Sequence, residues 1–136
     1  KVLLEAGADA NTATTFGYEA TALHLAAQNG HLAVVKALLE AGADIEKVQI
    51  DGFTALFIAG SNGHATVVKA LLDAGANSKA MTEGFTALYI AAEKGHTAVV
   101  KVLLEAGADA NTATTFGYEA TALHLAAQNG HLAVVK

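Results

Sequence analysis

In the stretch HLAVVKALLEAG, residues 31–42, Val34, Val35, Leu38 and Leu39 fall at helical spacing on one face, while Lys36 and Glu40 fall on the other. That is the period of an amphipathic helix with one buried side, and Gly42 supplies its stop. The preceding stretch TALHLAAQNG, residues 21–30, opens on Thr21, whose hydroxyl suits a helix N-cap, and closes on Gly30, which suits the left-handed position beyond a helix end. It predicts a first helix running to about Asn29. After the second helix, ADIEKVQIDGFT, residues 43–54, combines β-branched residues with an Asp51-Gly52 turn signal, and predicts an extended hairpin projecting to the side of the helix pair.

The pattern recurs along the chain. TALHLAA at Thr21 is followed by TALFIAG at Thr54, TALYIAA at Thr86 and TALHLAA again at Thr121, at spacings of 33, 32 and 35 residues. Each is followed by a Gly-His pair, at Gly30-His31, Gly63-His64, Gly95-His96 and Gly130-His131, and the apolar segments that come next end in AGAD or AGAN. A longer period lies over the short one: residues 1–36 and 101–136 are identical, so a block of three short repeats restarts after 100 residues. The organisation expected is one array over 1–136, with a partial repeat at 1–20, repeats at 21–53, 54–85 and 86–120, and a partial repeat at 121–136. Two helices of this length cannot bury their apolar faces alone, so each repeat has to lean on its neighbours. Small residues at Ala26-Ala27, Ala59-Gly60 and Ala91-Ala92 let adjacent first helices approach closely, which predicts an all-α, curved solenoid of stacked helix pairs with projecting hairpin loops.

These residues carry a resemblance. The Thr-x-Leu-His-x-Ala stretch, the Gly-His loop and the LL-x-x-GAD helix end, at near-constant spacing over the whole chain, resemble the ankyrin repeat. The sequence departs from that pattern in two ways. Ala22, Ala55, Ala87 and Ala122 stand where the family has Pro, giving up the φ that Pro presets at a first helical position. The motif His is kept as His24 and His124 but is Phe57 and Tyr89 in the middle repeats, where the hydrogen bond that the resemblance assigns to the ring is lost and local stability is expected to dip. The hairpins also differ: Gly52 and Gly84 stand two residues before their Thr, whereas two further residues follow Gly17 and Gly117, so the loops carrying Tyr18 and Tyr118 are expected to stand further out.

The resemblance implies a non-catalytic protein-binding scaffold whose partner contacts lie on the hairpin tips and the exposed end of the first helix. Those positions are Phe16, Tyr18, Glu19, Gln28, Asn29, Ile50, Asp51, Phe53, Ser61, Asn62, Met81, Thr82, Phe85, Glu93 and Lys94, with the copies Phe116, Tyr118, Glu119, Gln128 and Asn129. For Phe53 and Phe85 the alternative is that they cover the base of the hairpin. A second function of a different class is a structural or self-assembling repeat element, which the 36-residue identity favours because packing does not dictate surface residues. Lys1, Lys36, Lys69, Lys101 and Lys136 share one repeat position, so the sequence opens and closes inside a second helix. Head-to-tail contact, with Val2, Leu3 and Leu4 completing the layer begun by Val134 and Val135 of another molecule, or a longer continuous chain, is the expectation that follows.

Composition narrows the chemistry. Charged residues are 15% of the chain and the net charge is −5, with the eight Lys scattered, which argues against a nucleic-acid partner. No apolar run approaches the roughly 18 residues of a membrane span. There is no Cys, hence no disulfide or thiolate metal site and no sign of secretion. Six His invite a metal reading, but His31, His64, His96 and His131 occupy equivalent loop positions in successive layers, and His24 and His124 lie three layers apart. No nucleophile elbow or phosphate loop is present, so neither a catalytic site nor a cofactor is expected. Lys1-Glu5, Lys36-Glu40, Lys69-Asp73 and Lys101-Glu105 are read as one ion pair per layer on a solvated outer face.

Overall fold

The computed structural model of the chain describes residues 2–14, 20–82, 85–113 and 121–136. In chain order the elements are α1 (Val2–Glu5), α2 (Ala22–Asn29), α3 (Leu32–Glu40), α4 (Ala55–Ser61), α5 (Ala65–Asp73), β1 (Met81–Thr82), β2 (Phe85–Thr86), α6 (Ala87–Lys94), α7 (Thr97–Glu105), α8 (Ala122–Gln128) and α9 (Leu132–Val135). The first helices form one row, α2 against α4, α4 against α6 and α6 against α8. The second helices form another, α3 against α5, α5 against α7 and α7 against α9. The result is an all-α solenoid in which each layer is a helix pair and the core runs between the two rows.

The first helices start and stop as their end residues dictate. Thr21, Thr54 and Thr86 hold extended backbone, and their side-chain oxygens accept the N–H groups of His24 (3.4 Å), Phe57 (3.2 Å) and Tyr89 (3.2 Å). The residue after α6, Gly95, is left-handed at φ 75°, which closes the helix. Ala26, Ala27, Ala59, Ala91 and Ala92 are buried between rows, and a methyl group added at Gly60 would meet the Ala87 side chain at 3.6 Å. Small residues thus bring neighbouring first helices to contact distance.

In the second helices Val67, Val68 and Leu71, and then Val99, Val100 and Leu103, are buried. The layer of α3 differs from the sequence expectation: Val35 and Leu38 are buried, but Val34 is 49% exposed. The physical reason is directional. The first Val of each pair faces the first helix of the preceding layer, as the approach of Val99 to the Gly60 position at 3.7 Å demonstrates, and no first helix is described in the layer before α2 and α3. A second correction concerns the outer face. Among the described residues the Lys69–Asp73 pair, at 3.3 Å with side chains 66% and 67% exposed, is the one ion pair formed. Lys36-Glu40 and Lys101-Glu105 do not close, consistent with the weaker Lys-before-acid order and full solvent competition; Lys1 lies outside the described residues.

The loops are built by side chains more than by strands. A short antiparallel pair forms where Met81 faces Thr86 and Thr82 faces Phe85. The hairpin expected over 43–54 is instead a turn, with Gly52 N–H donating to the Gln49 carbonyl (2.8 Å) and Gln49 N–H to that of Phe53 (3.0 Å). The residue ending each AGAD or AGAN motif shapes the start of every described loop. The side-chain oxygens of Asp9, Asp44, Asn77 and Asp109 accept the N–H two residues on, from Asn11 (2.9 Å), Glu46 (3.0 Å), Lys79 (2.9 Å) and Asn111 (2.8 Å), folding the backbone into tight turns.

The residue at the second position of each turn then reaches the next layer. Asn11 accepts the Asp44 N–H at 2.6 Å and Glu46 accepts that of Asn77 at 2.8 Å. Lys79 holds the equivalent place before Asp109 and has no acceptor to offer, so this rung is missing for a chemical reason. Lys79→Asn should add it and raise the unfolding free energy by about 0.5 kcal/mol, the low end for a hydrogen bond because the rung is exposed. Urea unfolding of Lys79→Asn beside Lys79→Met checks this, the Met variant being expected to show no gain.

Candidate functional site

The first-helix ends are held in register by the Gly-His loops. The Nε2 atom of His64 lies 2.9 Å from the Gln28 carbonyl, that of His96 3.1 Å from the Ser61 carbonyl, and that of His131 2.8 Å from the Glu93 carbonyl. Each imidazole therefore reaches back one layer and satisfies a carbonyl that the preceding helix end leaves open. Among the described residues no three His, Asp or Glu side chains gather in a way that would hold a metal ion.

At the hairpin bases the layers use two different devices. His24 is 1% exposed, its Nδ1 accepts the Thr21 N–H at 3.0 Å, and its Nε2 lies 2.7 Å from the Lys47 carbonyl, which fixes the neutral ring with its proton on Nε2. Its copy His124 keeps the contact from the Thr121 N–H at 2.9 Å but is exposed. Where the His is replaced, the residue before the Thr is Phe instead of Ala, and the two rings stack. Phe53 lies on Phe57 at 5.1 Å between centroids with planes 5° apart, and Phe85 lies on Tyr89 at 5.1 Å. A ring stack thus stands in the middle repeats where the first repeat has His24 and its hydrogen bonds, which the sequence pattern did not announce.

Burial lowers the pKa of His24 below its ordinary value of 6.5, against an upward pull from the Lys47 carbonyl, and the Lys47 charge adds to the lowering. A folded-state pKa below the unfolded one means that the neutral ring stabilises the fold fully above about pH 6.5, and that this contribution is lost as pH falls through the folded value. Chemical denaturation at pH 7.5 and 5 tests the sign: His24→Gln should lose less stability over that interval than the parent chain.

Several of the expected contact residues come together. Gln28, Asp51, Phe53, Ser61 and Asn62 line one cavity of about 280 Å³ between the 49–53 turn and α4, joined by Gln49, Phe57 and Ile58, which the sequence reading passed over. Phe57 had a signal available, since it breaks the His motif and Phe53 precedes it at stacking distance. Gln49 had none, because its burial depends on the turn folding back. Asn29 is exposed and its Nδ2 donates to the Leu25 carbonyl at 2.9 Å. Ile50, 66% exposed, and Met81 stand on the tips. Thr82 does not: it is buried, and its hydroxyl donates to the Gly52 carbonyl at 3.1 Å, tying one hairpin to the next.

One layer on, Glu93 is partly buried, and the exposed Lys94 donates from Nζ to the Ser61 hydroxyl (2.6 Å) and carbonyl (3.2 Å). Gln128 and Asn129 are exposed, with Asn129 Nδ2 donating to the Glu93 carbonyl at 3.2 Å. Phe16, Tyr18, Glu19, Phe116, Tyr118 and Glu119 lie outside the described residues. Of the residues expected to meet end to end, Val2, Leu3 and Val135 are exposed, while Leu4 and Val134 pack in part against the core.

A stack of helix pairs with side-projecting loops, tied layer to layer by Gly-His and Asx-turn rungs, is a repeat-built solenoid in class. The family model for ankyrin repeats (3 copies) matches residues 1–82, 23–115 and 77–136, so the chain belongs to the ankyrin repeat family. Ankyrin repeats are generally protein–protein interaction modules and generally non-catalytic. No curated protein matches this sequence. Among the described residues no helix is long and apolar enough to cross a membrane.

Proposed function

We propose that this chain is a non-catalytic protein-interaction scaffold that binds its partner through the hairpin tips and the exposed ends of the first helices. One observation carries the reading: Gln28, Asp51 and Ser61, which differ from layer to layer, line a common cavity with Phe53 and Asn62, and Ile50 and Met81 are exposed on the loops, while the outer second-helix face repeats the same Lys and acid positions. Variation gathered on one face of an otherwise uniform stack is what a partner-specific surface requires. Panning a library of displayed linear peptides against the chain tests it. Enriched peptides should lose binding to Gln28→Arg and Met81→Glu and keep it with Lys36→Glu and Lys101→Glu. Binders indifferent to the first pair and sensitive to the second would place the interaction on the outer face and overturn the reading.

A second reading, self-association, is favoured by the exposed apolar side chains of the first and last layers, Val2, Leu3, Leu123, Leu132 and Val135. Layers of a stack bury such faces against a neighbouring layer, which a second copy can supply. Light scattering over a concentration series distinguishes the two: growth of mass with concentration supports head-to-tail contact through Val2, Leu3, Leu4, Val134 and Val135, and a constant monomer mass removes it.

A further inference from the structure

We propose that the cavity between the 49–53 turn and α4 is a recognition pocket for the guanidinium group of an arginine side chain on a protein partner. This deepens the interaction-scaffold reading and rests on it. The first observation is an unfilled acceptor: Asp51 Oδ1 is buried and has no hydrogen-bond partner. A buried carboxylate oxygen left unpaired is costly, and Asp51 lines the cavity, so a donor entering it meets this carboxylate. The second is the wall beside it. Phe53 and Phe57, stacked parallel within 5°, both line the cavity, so a planar guanidinium entering it meets aromatic carbon while its fork of N–H groups reaches the carboxylate. An ammonium group offers charge but no plane.

The remaining lining fits the same ligand. Asn62, which lines the cavity, donates its NH2 to the Ile58 carbonyl at 2.8 Å and keeps its side-chain oxygen for accepting. Gln28, from the preceding layer, brings a second amide. At about 280 Å³ the cavity falls below the range of roughly 300–1,000 Å³ typical of small-molecule sites, and suits one long side chain better than a free metabolite. Exposed Ile50, between the lining residues Gln49 and Asp51, is open to the apolar residues flanking such an arginine. The chain's charge of −5 favours a basic partner. One group opposes it: Lys94 places its ammonium on Ser61, which lines the cavity, and repels an incoming cation.

The test uses small probes and does not depend on knowing the partner. N-acetyl-argininamide is titrated into the chain and followed by the amide shifts of Gln49, Gly52, Phe53 and Phe57, with N-acetyl-citrullinamide, its neutral analogue of the same shape, as the comparison. Saturable millimolar binding of the arginine probe at those residues is expected, weaker about three- to ten-fold for citrulline, the scale of one charge-assisted contact. Asp51→Asn should abolish that preference, Phe57→Leu should weaken both probes, and Lys94→Met should tighten the arginine probe about two-fold. Equal binding of the two probes, an unchanged preference in Asp51→Asn, or shifts that do not saturate by about 100 mM would overturn the proposal. If Asp51→Asn fails to fold, Phe57→Leu and Lys94→Met carry the decision. Displayed peptides that bind the first-helix face while the arginine probe does not saturate would sink the pocket and leave the scaffold reading standing.

Discussion

Leu71→Ala is expected to lower the unfolding free energy by about 2–5 kcal/mol, the range for removing a large buried aliphatic side chain and leaving its cavity partly open. Leu71 is fully buried in α5, with α3 and α7 on either side and α4 as its own pair, so there is little free space into which the layer can collapse. In a stack whose stability is the sum of layers and their interfaces, such a lesion also uncouples the halves on either side of it. Lys69→Ala on the same helix is the control. Its ion pair with Asp73 is exposed and worth about 0.5 kcal/mol or less, so a Leu71→Ala loss no larger than that would mean the helix faces are wrongly assigned.

Gly63→Ala is the second large effect, and its cost comes from two sources. Gly63 holds φ +78°, which a side chain resists by about 1–2 kcal/mol. An added Cβ would also lie 2.8 Å from Nδ1 of His96, so the ring must move and its hydrogen bond to the Ser61 carbonyl, worth about 0.5–1.5 kcal/mol, is put at risk. The expected total is about 2–3 kcal/mol. Gly75→Ala isolates the first source, because Gly75 also has a positive φ, +99°, with nothing within 4 Å of the added carbon. In a His96→Ala background the cost of Gly63→Ala should fall toward that of Gly75→Ala. If it does not, the His ring is not what the glycine accommodates.

The Gly-His pair illustrates how far a single chain could be read. Its recurrence marks a helix stop and a restart, and both occur where the pattern places them. What the pair is for lies between layers: the His of one repeat seats on the Gly of the repeat before it, across 33 residues from Gly63 to His96. No local rule relates those two residues. The Asx turns behave alike. Asp and Asn at the AGAD and AGAN ends signal turns in the sequence, but the rung from Glu46 to Asn77, and its loss at Lys79, appear only when adjacent loops are set side by side. The same holds for the candidate site. Gln28, Asp51 and Phe53 were legible as residues that vary by layer, whereas Gln49 and Phe57 entered the cavity because a turn and a ring stack carried them there. Thr82 read as a tip residue and proved to be a buried tie.

By itself, then, the sequence determined the repeat, the helix pairs and their caps, and the family, because these depend on period, end residues and short-range backbone preference. Those are local quantities, and self-similarity repeats each of them along the chain. The tertiary structure alone decided that Val34 stays open while its counterparts Val67 and Val99 are buried, which histidines bridge layers, and that Asp51 carries a buried oxygen without a partner. Each of those depends on the distance between residues about 30 or more positions apart or on how a turn folds back, and the position of one layer on the next is fixed by packing volume and hydrogen-bond satisfaction, which no single repeat encodes.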